Sequence, residues 1–185
     1  MELYVKEVID SAIKAVWKKD IQKDYNDKFL LKEDTLKNSF YYHLRMRLGE
    51  RFLIDNNIRI YTEFKFLEER IDLVVVEVDP NKTSLVQLSD CVKKIISVIE
   101  MKYKSKEVSE FCFDKDIIKI MKYKDVMDNE TMFYTAFLRE KSFKPEEVTH
   151  WLPDEDVEKA KGRVTELYSY INSELNDMEW LIKVH

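Results

Sequence analysis

The chain is poor in the residues that interrupt regular structure. Of its 185 residues, two are glycine and three are proline, so we expect no long unstructured linker and no low-complexity tail. No internal repeat is visible at the periods of repeat proteins. A chain of this length buries a sizeable core as one unit. The composition therefore predicts a single domain over residues 1–185.

The chain also has no excess of basic residues and only two cysteines. The formal net charge is −5, which gives no overall basic surface of the kind that many nucleic-acid-binding proteins carry. Cys91 and Cys112 lack CxxC spacing; they could form a disulfide, but two reduced packing residues fit the pattern better. The first residues, MELYVKEVID, are acidic where a secretory signal is basic, and no apolar run is long enough to span a bilayer. We expect a cytoplasmic protein.

Helical periodicity marks both ends of the chain. Apolar residues recur on one helical face between residues 3 and 23. A second helix is predicted from a cap at Asp34 or Thr35 to Gly49. After Pro153, apolar spacing over residues 157–175 predicts a C-terminal helix. We therefore expect peripheral helices over residues 1–30 and 154–176.

The middle of the chain changes to strand-like patterns. Segments rich in β-branched and aromatic residues predict four strands: IRIYTEFKF, IDLVVVEV, IISVIEMKY and TMFYTAFL. The segment FDKDIIKIMKYK predicts a helix capped by Asp114, and LVQLSDCVKK a short helix. The expected fold class is α/β (α+β with a mixed sheet), with about four strands flanked by helices.

Charged residues stand at the ends of two of these strands. Asp72 directly precedes the run LVVV, and Glu100 and Lys102 follow the run ISVI at alternate positions, which share one face of a strand. If the strands pair, the carboxylates of Asp72 and Glu100 converge and repel each other unless a cation lies between them. Mg²⁺ or Mn²⁺ prefers such oxygen ligands, and a neighbouring lysine can hold or deprotonate an attacking water.

The segments RIDLVVV, VIEMK and KDIIKIMKYK resemble the core of the PD-(D/E)xK nuclease superfamily, which has the restriction-endonuclease-like fold. The resemblance covers residues 33–138. It implies that Asp72, Glu100 and the carbonyl oxygen of Met101 bind the metal and that Lys102 serves the nucleophilic water. In this family a further acid often completes the site, and Glu63 is the first candidate.

The second candidate for that acid is Glu33. Ile71 occupies the position of the proline that gives the motif its name, and Asp72 and Glu100 are further apart in sequence than in compact members. The string Glu-x-Lys also occurs at Glu63–Lys65, where no strand-entrance aspartate precedes it. The simpler alternative is that Glu100 and Lys102 form a solvated cross-strand pair.

A local group of lysines follows the third predicted strand. Charge runs are usually solvated faces, but these lie where DNA approaches a site of this family. Of the histidines, His43 is expected to pack in a helix, and His150 and His185 have no partners at ligand spacing. The predicted phosphate contacts are Lys104, Lys106, Lys115 and Lys119.

Three functional hypotheses follow. The first is Mg²⁺-dependent (or Mn²⁺-dependent) hydrolysis of DNA phosphodiester bonds by Asp72, Glu100, Lys102 and Glu63. The second is a catalytically idle nuclease fold that binds a partner protein, a second copy of itself or a nucleic acid. The third is an unrelated small α/β protein.

Overall fold

A computed structural model describes residues 2–82, 87–105, 109, 111–148 and 150–185. Helices dominate the first third of the chain and strands the rest. The helices are α1 (Glu2–Ala15), α2 (Gln22–Asn26), α3 (Glu33–Leu48), α4 (Glu50–Asp55), α5 (Phe111–Val126) and α6 (Asp154–Ala160), and a π-helical turn, Val16–Ile21, joins α1 to α2. The strands are β1 (Ile58–Phe66), β2 (Glu69–Val78), β3 (Val92–Ser105), β4 (Met132–Phe143), β5 (Val164–Asn172) and β6 (Asp177–Val184).

The six strands form one mixed sheet in the order β1-β2-β3-β4-β5-β6. The pairs β1–β2, β2–β3 and β5–β6 are antiparallel, whereas β3–β4 and β4–β5 are parallel. Parallel neighbours need a crossover connection, and α5 and α6 supply the two crossovers. The fold is thus α+β, with a six-stranded mixed sheet flanked by helices.

Each face of the sheet has its own apolar core. The helices α1 and α3 cover one face, where Ile9, Ile13, Phe40 and Leu44 pack against Leu73 and other strand residues. The other face is covered by α5 and by the segment before α6. Helix α5 ends up on this second face because Phe113, Ile117 and Ile120 recur at helical spacing.

A row of polar residues crosses the second face. Residues paired across neighbouring strands point to the same side of a sheet. Glu100 is paired with Thr135, Thr135 with Glu166, and Glu166 with Lys183. Glu100, Thr135 and Glu166 are all buried, with at most 1% of each residue exposed. Because neighbouring strands lie about 5 Å apart, Glu100 and Glu166 are separated by about 10 Å.

The prediction of a long C-terminal helix over residues 154–176 is wrong. Helix α6 spans only Asp154–Ala160, and the chain then enters β5 and β6. The helix ends at Ala160 because the next two residues, Lys161 and Gly162, adopt positive φ values of 52° and 77°. The segment VTELYSYIN is rich in β-branched and aromatic residues, and burial on both faces of β5 hides the alternation that marks a half-buried strand.

The other predicted elements lie close to their expected positions. The two N-terminal helices and the four central strands are present. Helix α3 begins one turn before Leu36, and the Thr35 hydroxyl accepts hydrogen bonds from the backbone of Leu31 and Lys32. Residues 88–91 form a 3₁₀ turn instead of part of a longer helix, and residues 83–86 lie outside the described part.

Asp114 lies within the first turn of α5, so it is not the residue before the helix. Within the described residues, none of the helices combines the length and the apolarity needed to cross a membrane.

Candidate active site

The register of β2 and β3 brings the predicted acids together. The ladder between β2 and β3 ends at the pair Leu73–Ile99, so Asp72 and Glu100 stand one residue beyond it, close enough for the negative charge of Asp72 to raise the pKa of Glu100. Lys102 follows Glu100 by two residues and lies on the same face. Helices α3 and α5 each contribute charged side chains to this end of the sheet.

Asp72 is held by two donors. Its Oδ2 accepts a hydrogen bond from the backbone N–H of Met101 at 2.8 Å, which fixes the carboxylate against the neighbouring strand. Its Oδ1 lies 2.7 Å from Nζ of Lys37, a residue of α3 that is almost fully buried. Asp72 is therefore oriented by both the sheet and α3.

Glu100 is the most buried charged residue of the site, with 1% of it exposed. Its carboxylate lies 2.8 Å from Nζ of Lys119 on α5. Burial raises the pKa of Glu100 to about 9, and the negative charges of Asp72 and Asp116 add to this effect against the attraction of Lys119. The three carboxyl groups are thus close enough to repel one another, and Glu100 holds a proton at neutral pH.

Lys102 lies between two acids from different helices. Its Nζ is 3.3 Å from Glu33 of α3 and 3.2 Å from Asp116 of α5. Burial lowers the pKa of Lys102, but the charges of Asp116 and Glu33 outweigh burial and raise that pKa above its usual value. Lys102 is therefore a fixed positive charge in this state and not a base.

Glu63 contacts the site through Lys37. Its carboxylate pairs with Nζ of Lys37, which also contacts Asp72, and lies 3.8 Å from Arg70. Attraction to Asp72 and Glu63 raises the pKa of Lys37 above its usual value despite burial. The backbone of Glu63 has a φ of 52°, a conformation that costs about 1 kcal/mol or more for a residue other than glycine.

The lysines predicted to contact DNA have different surroundings. Lys119 is bound within the site, where it also donates to the carbonyl of Arg70 at 2.5 Å. Lys115 is exposed, with its Nζ 4.9 Å from the centre of the Phe111 ring. Lys104 is half-buried near the end of β3, and Lys106 lies outside the described residues.

The sequence did not predict two residues of the site, Lys37 and Asp116. Lys37 lies one position after the apolar Leu36 of α3, in a helix whose charged residues are otherwise mostly exposed. Asp116 precedes the buried Ile117 of α5, three residues before Lys119, so these two side chains lie on neighbouring positions of one helical face. That spacing is the only sequence signal for Asp116.

The chemistry of the donors fits a hard divalent cation. Asp72 and Glu100 offer carboxylate oxygens. The third proposed ligand, the backbone carbonyl oxygen of Met101, belongs to β3, the strand that also carries Glu100. Burial, and after it the charge of Asp72, raises the pKa of Glu100, and a divalent ion bound to both carboxylates would favour their charged forms.

No protein-family model matches the chain, and a search of curated proteins found no match. Sequence comparison therefore does not decide between the three hypotheses.

Proposed function

We propose that the protein is a metal-dependent nuclease of the PD-(D/E)xK type, which hydrolyses DNA phosphodiester bonds with Mg²⁺ or Mn²⁺. The observation that carries the proposal is the pair of neighbouring acids, Asp72 and Glu100; burial, and after it repulsion by Asp72, raises the pKa of Glu100 to about 9. Lys102 stands two residues beyond Glu100 on the same strand.

The metal would be held by the carboxylates of Asp72 and Glu100 and by the carbonyl of Met101. When bound, such an ion activates water and stabilises the negative charge of the phosphoryl transition state. The N–H of Met101 keeps one oxygen of Asp72 in place, which leaves the other oxygen for the ion and for Lys37. Glu100 would lose its proton when the ion binds, because the added positive charge favours the carboxylate.

Lys102 would act as a positioning charge beside the attacking water. Its ammonium group is held on opposite sides by Glu33 and Asp116, so its direction is fixed by two helices. A lysine with a raised pKa donates hydrogen bonds to water and offsets charge on the phosphate, but it does not take up a proton. The water's proton would therefore leave to solvent or to the substrate.

Glu63 and Glu33 would have different roles. Glu63 is nearly half exposed and shares Lys37 with Asp72, so it would set the position of Lys37 at the rim. Glu33 would hold Lys102 in its working orientation. The groups that hold Asp72 and Glu100 in place are the N–H of Met101 and the ammonium groups of two lysines. Neither Glu63 nor Glu33 is among these groups.

Metal binding by the site is the first test. Calorimetry with Mn²⁺ on protein treated with a chelator should give one site for the wild type. Asp72→Asn and Glu100→Gln should each weaken this binding at least about tenfold, because each removes a charged oxygen ligand. Glu77→Gln is a matched control, since Glu77 lies on β2 and pairs with Lys93 away from the site. Equal Mn²⁺ binding in all four proteins would contradict the proposal.

Cleavage is the second test. Plasmid, single-stranded and branched DNA are incubated with Mg²⁺ and with Mn²⁺, and products are followed on gels. Lys102→Ala should lower the cleavage rate about 10²-fold or more, as removal of a transition-state charge does. Lys93→Ala, at the other end of β3, is the control and should cleave as the wild type does.

One observation favours the idle-module alternative. Both neighbouring acids already have a lysine partner, Lys37 for Asp72 and Lys119 for Glu100. Such internal pairing is what a site that has lost its metal would retain. Mn²⁺ binding without cleavage of any DNA would favour this alternative, and so would the absence of both.

A further inference from the structure

A second cluster of ligand-type side chains lies at the other end of the polar row. Glu166 of β5 is fully buried, and the imidazole of His185 packs beside it with 1% of its side chain exposed. His150, in the segment before α6, completes the group. One potential ligand atom from each of the three residues lies within 4.8 Å of the other two.

Backbone groups hold two of these side chains in orientation. Glu166 accepts hydrogen bonds from the N–H groups of Trp151 and Leu152, at 3.0 and 2.7 Å. Nδ1 of His150 lies 2.5 Å from the carbonyl oxygen of Leu152, so this nitrogen carries the proton and donates it. In the neutral ring, this tautomer places the lone pair on the other nitrogen, Nε2, which is the arrangement of metal-binding histidines.

His185 provides the second, independent observation. Its Nε2 is buried and has no hydrogen-bond partner among the described residues. The atom lies 3.3 Å from Oε1 of Glu166 without the geometry of a hydrogen bond. A buried ring nitrogen without a partner is uncommon in proteins, and here it faces a carboxylate.

A simple ion pair between His185 and Glu166 explains less of this arrangement. A protonated His185 would direct its N–H along a hydrogen bond to the carboxylate. The ring of His150 also lies close to that of His185, with centres 5.0 Å apart, so two protonated rings would repel each other. Two imidazoles and a carboxylate this close together can instead share one cation between all three.

We propose that His150, Glu166 and His185 bind a transition-metal ion of the Zn²⁺ class. Two imidazole nitrogens and one carboxylate oxygen favour Zn²⁺, Co²⁺ or Ni²⁺ over Mg²⁺. Bonds of about 2.1 Å require the ligand atoms to approach one another by about 1 Å. His150 can make this movement because it is only partly buried and lies outside the helices and strands.

Of the three proposed ligands, His150 lines a cavity of about 560 Å³, together with Tyr168 and Lys183. Asp154 lies at its edge, with Oδ1 3.4 Å from Nε2 of His150. This carboxylate is almost fully exposed. Water or Asp154 would therefore fill the fourth coordination position, and the bound ion would fasten the segment before α6 to β5 and to the residue after β6.

The test uses Zn²⁺ and Co²⁺ alone with the full chain after chelator treatment. Calorimetry should give one Zn²⁺ site that a large excess of Mg²⁺ does not occupy, and Co²⁺ should produce visible absorption bands. His150→Gln should weaken Zn²⁺ binding at least about tenfold and abolish the Co²⁺ bands. Asp154→Asn should have a smaller effect. His185→Gln is a second ligand variant, with its folding checked by circular dichroism.

The chain offers a matched control. It contains three histidines, and the third, His43, lies on α3 with its Nε2 2.9 Å from Asp24. His43→Gln should bind Zn²⁺ as the wild type does. Asp72→Asn should do so too, because Asp72 belongs to the other proposed metal site. Absence of Zn²⁺ binding, or equal weakening by His43→Gln and His150→Gln, would overturn the proposal.

Discussion

Two buried glutamates occupy the same row of one sheet, yet they are stabilised in different ways. Glu100 is held by the ammonium group of a lysine side chain, Lys119, and is repelled by two other acids. Glu166 is held by the backbone N–H groups of Trp151 and Leu152. A carboxyl group with an adaptable partner can exchange a proton for a cation, whereas one fixed by the backbone serves as a rigid ligand.

The largest difference is expected when each glutamate is replaced by glutamine. In Glu166→Gln the amide NH₂ faces one of the two backbone donors, so we expect the free energy of unfolding to fall by about 2–3 kcal/mol. In Glu100→Gln the amide resembles the protonated acid already present at neutral pH, and the loss should stay below about 1 kcal/mol. Urea unfolding followed by tryptophan fluorescence at pH 7, with a chelator present, measures both. Equal losses would remove the distinction.

The dependence of stability on pH gives the next test. The pKa of Glu100 is raised to about 9 in the folded state, above the usual value of 4.5 that the unfolded chain has. Between these values only the folded state binds the proton, so Glu100 makes the free energy of unfolding fall as pH rises, by at most about 1.4 kcal/mol per unit. Below pH 4.5 the contribution is complete, and above pH 9 it is lost.

The difference between the wild type and Glu100→Gln isolates this contribution. Urea midpoints at pH 5, 7 and 9 should fall more steeply for the wild type than for the variant. Mn²⁺ should make the wild-type slope smaller, because the ion replaces the proton. Parallel curves for the two proteins would show that Glu100 is ionised in the folded state.

A smaller effect is expected from the lysine that serves Glu100. Lys119→Met should lower the free energy of unfolding by about 1 kcal/mol at pH 6, where Glu100 is protonated, and by more at pH 9, where its charge loses a partner. Lys122→Met is the control, since Lys122 lies on the same helix as Lys119 and pairs with the half-buried Glu69 of β2. Its loss should lie between about 0 and 1 kcal/mol at both pH values. Similar behaviour of the two variants would contradict the assigned role of Lys119.

These contacts also show which parts of the site could be predicted from the sequence. The neighbouring positions of Asp72, Glu100 and Lys102 were predictable, because strand periodicity and an antiparallel register are local rules. The carboxyl-rich site could be expected from two short strings, RIDLVVV and VIEMK. The same strings lie in two of the predicted strands, and the helix that follows them was predicted from a third segment, FDKDIIKIMKYK.

Contacts that depend on packing between distant elements were not predictable. Lys37 reaches Asp72 because α3 packs across β2, and no spacing in the sequence records that contact. The His150, Glu166 and His185 group depends on residues 164–184 forming strands. The helical interpretation of residues 154–176 separated those three residues, so the cluster had no sequence signal once that element was wrong.

The smallest expected effect concerns Thr135, which lies between the two glutamates. Its hydroxyl is buried and has no hydrogen-bond partner among the described residues. Thr135→Val replaces that hydroxyl by a methyl group of similar volume, so the free energy of unfolding should rise by up to about 1 kcal/mol. Thr165→Val on β5 is the control, because this residue lies on the opposite face of the sheet from Glu166.

The same urea measurement, repeated with Zn²⁺ and with Mn²⁺, shows whether the two glutamates communicate. If each metal site acts alone, Thr135→Val changes neither metal's stabilisation of the fold, because the threonine contacts neither proposed ligand set through a hydrogen bond. A loss of stability in Thr135→Val, or altered stabilisation by either metal, would instead mean that the hydroxyl joins Glu100 to Glu166 through bound water. The two glutamates would then belong to one extended polar site instead of two separate ones.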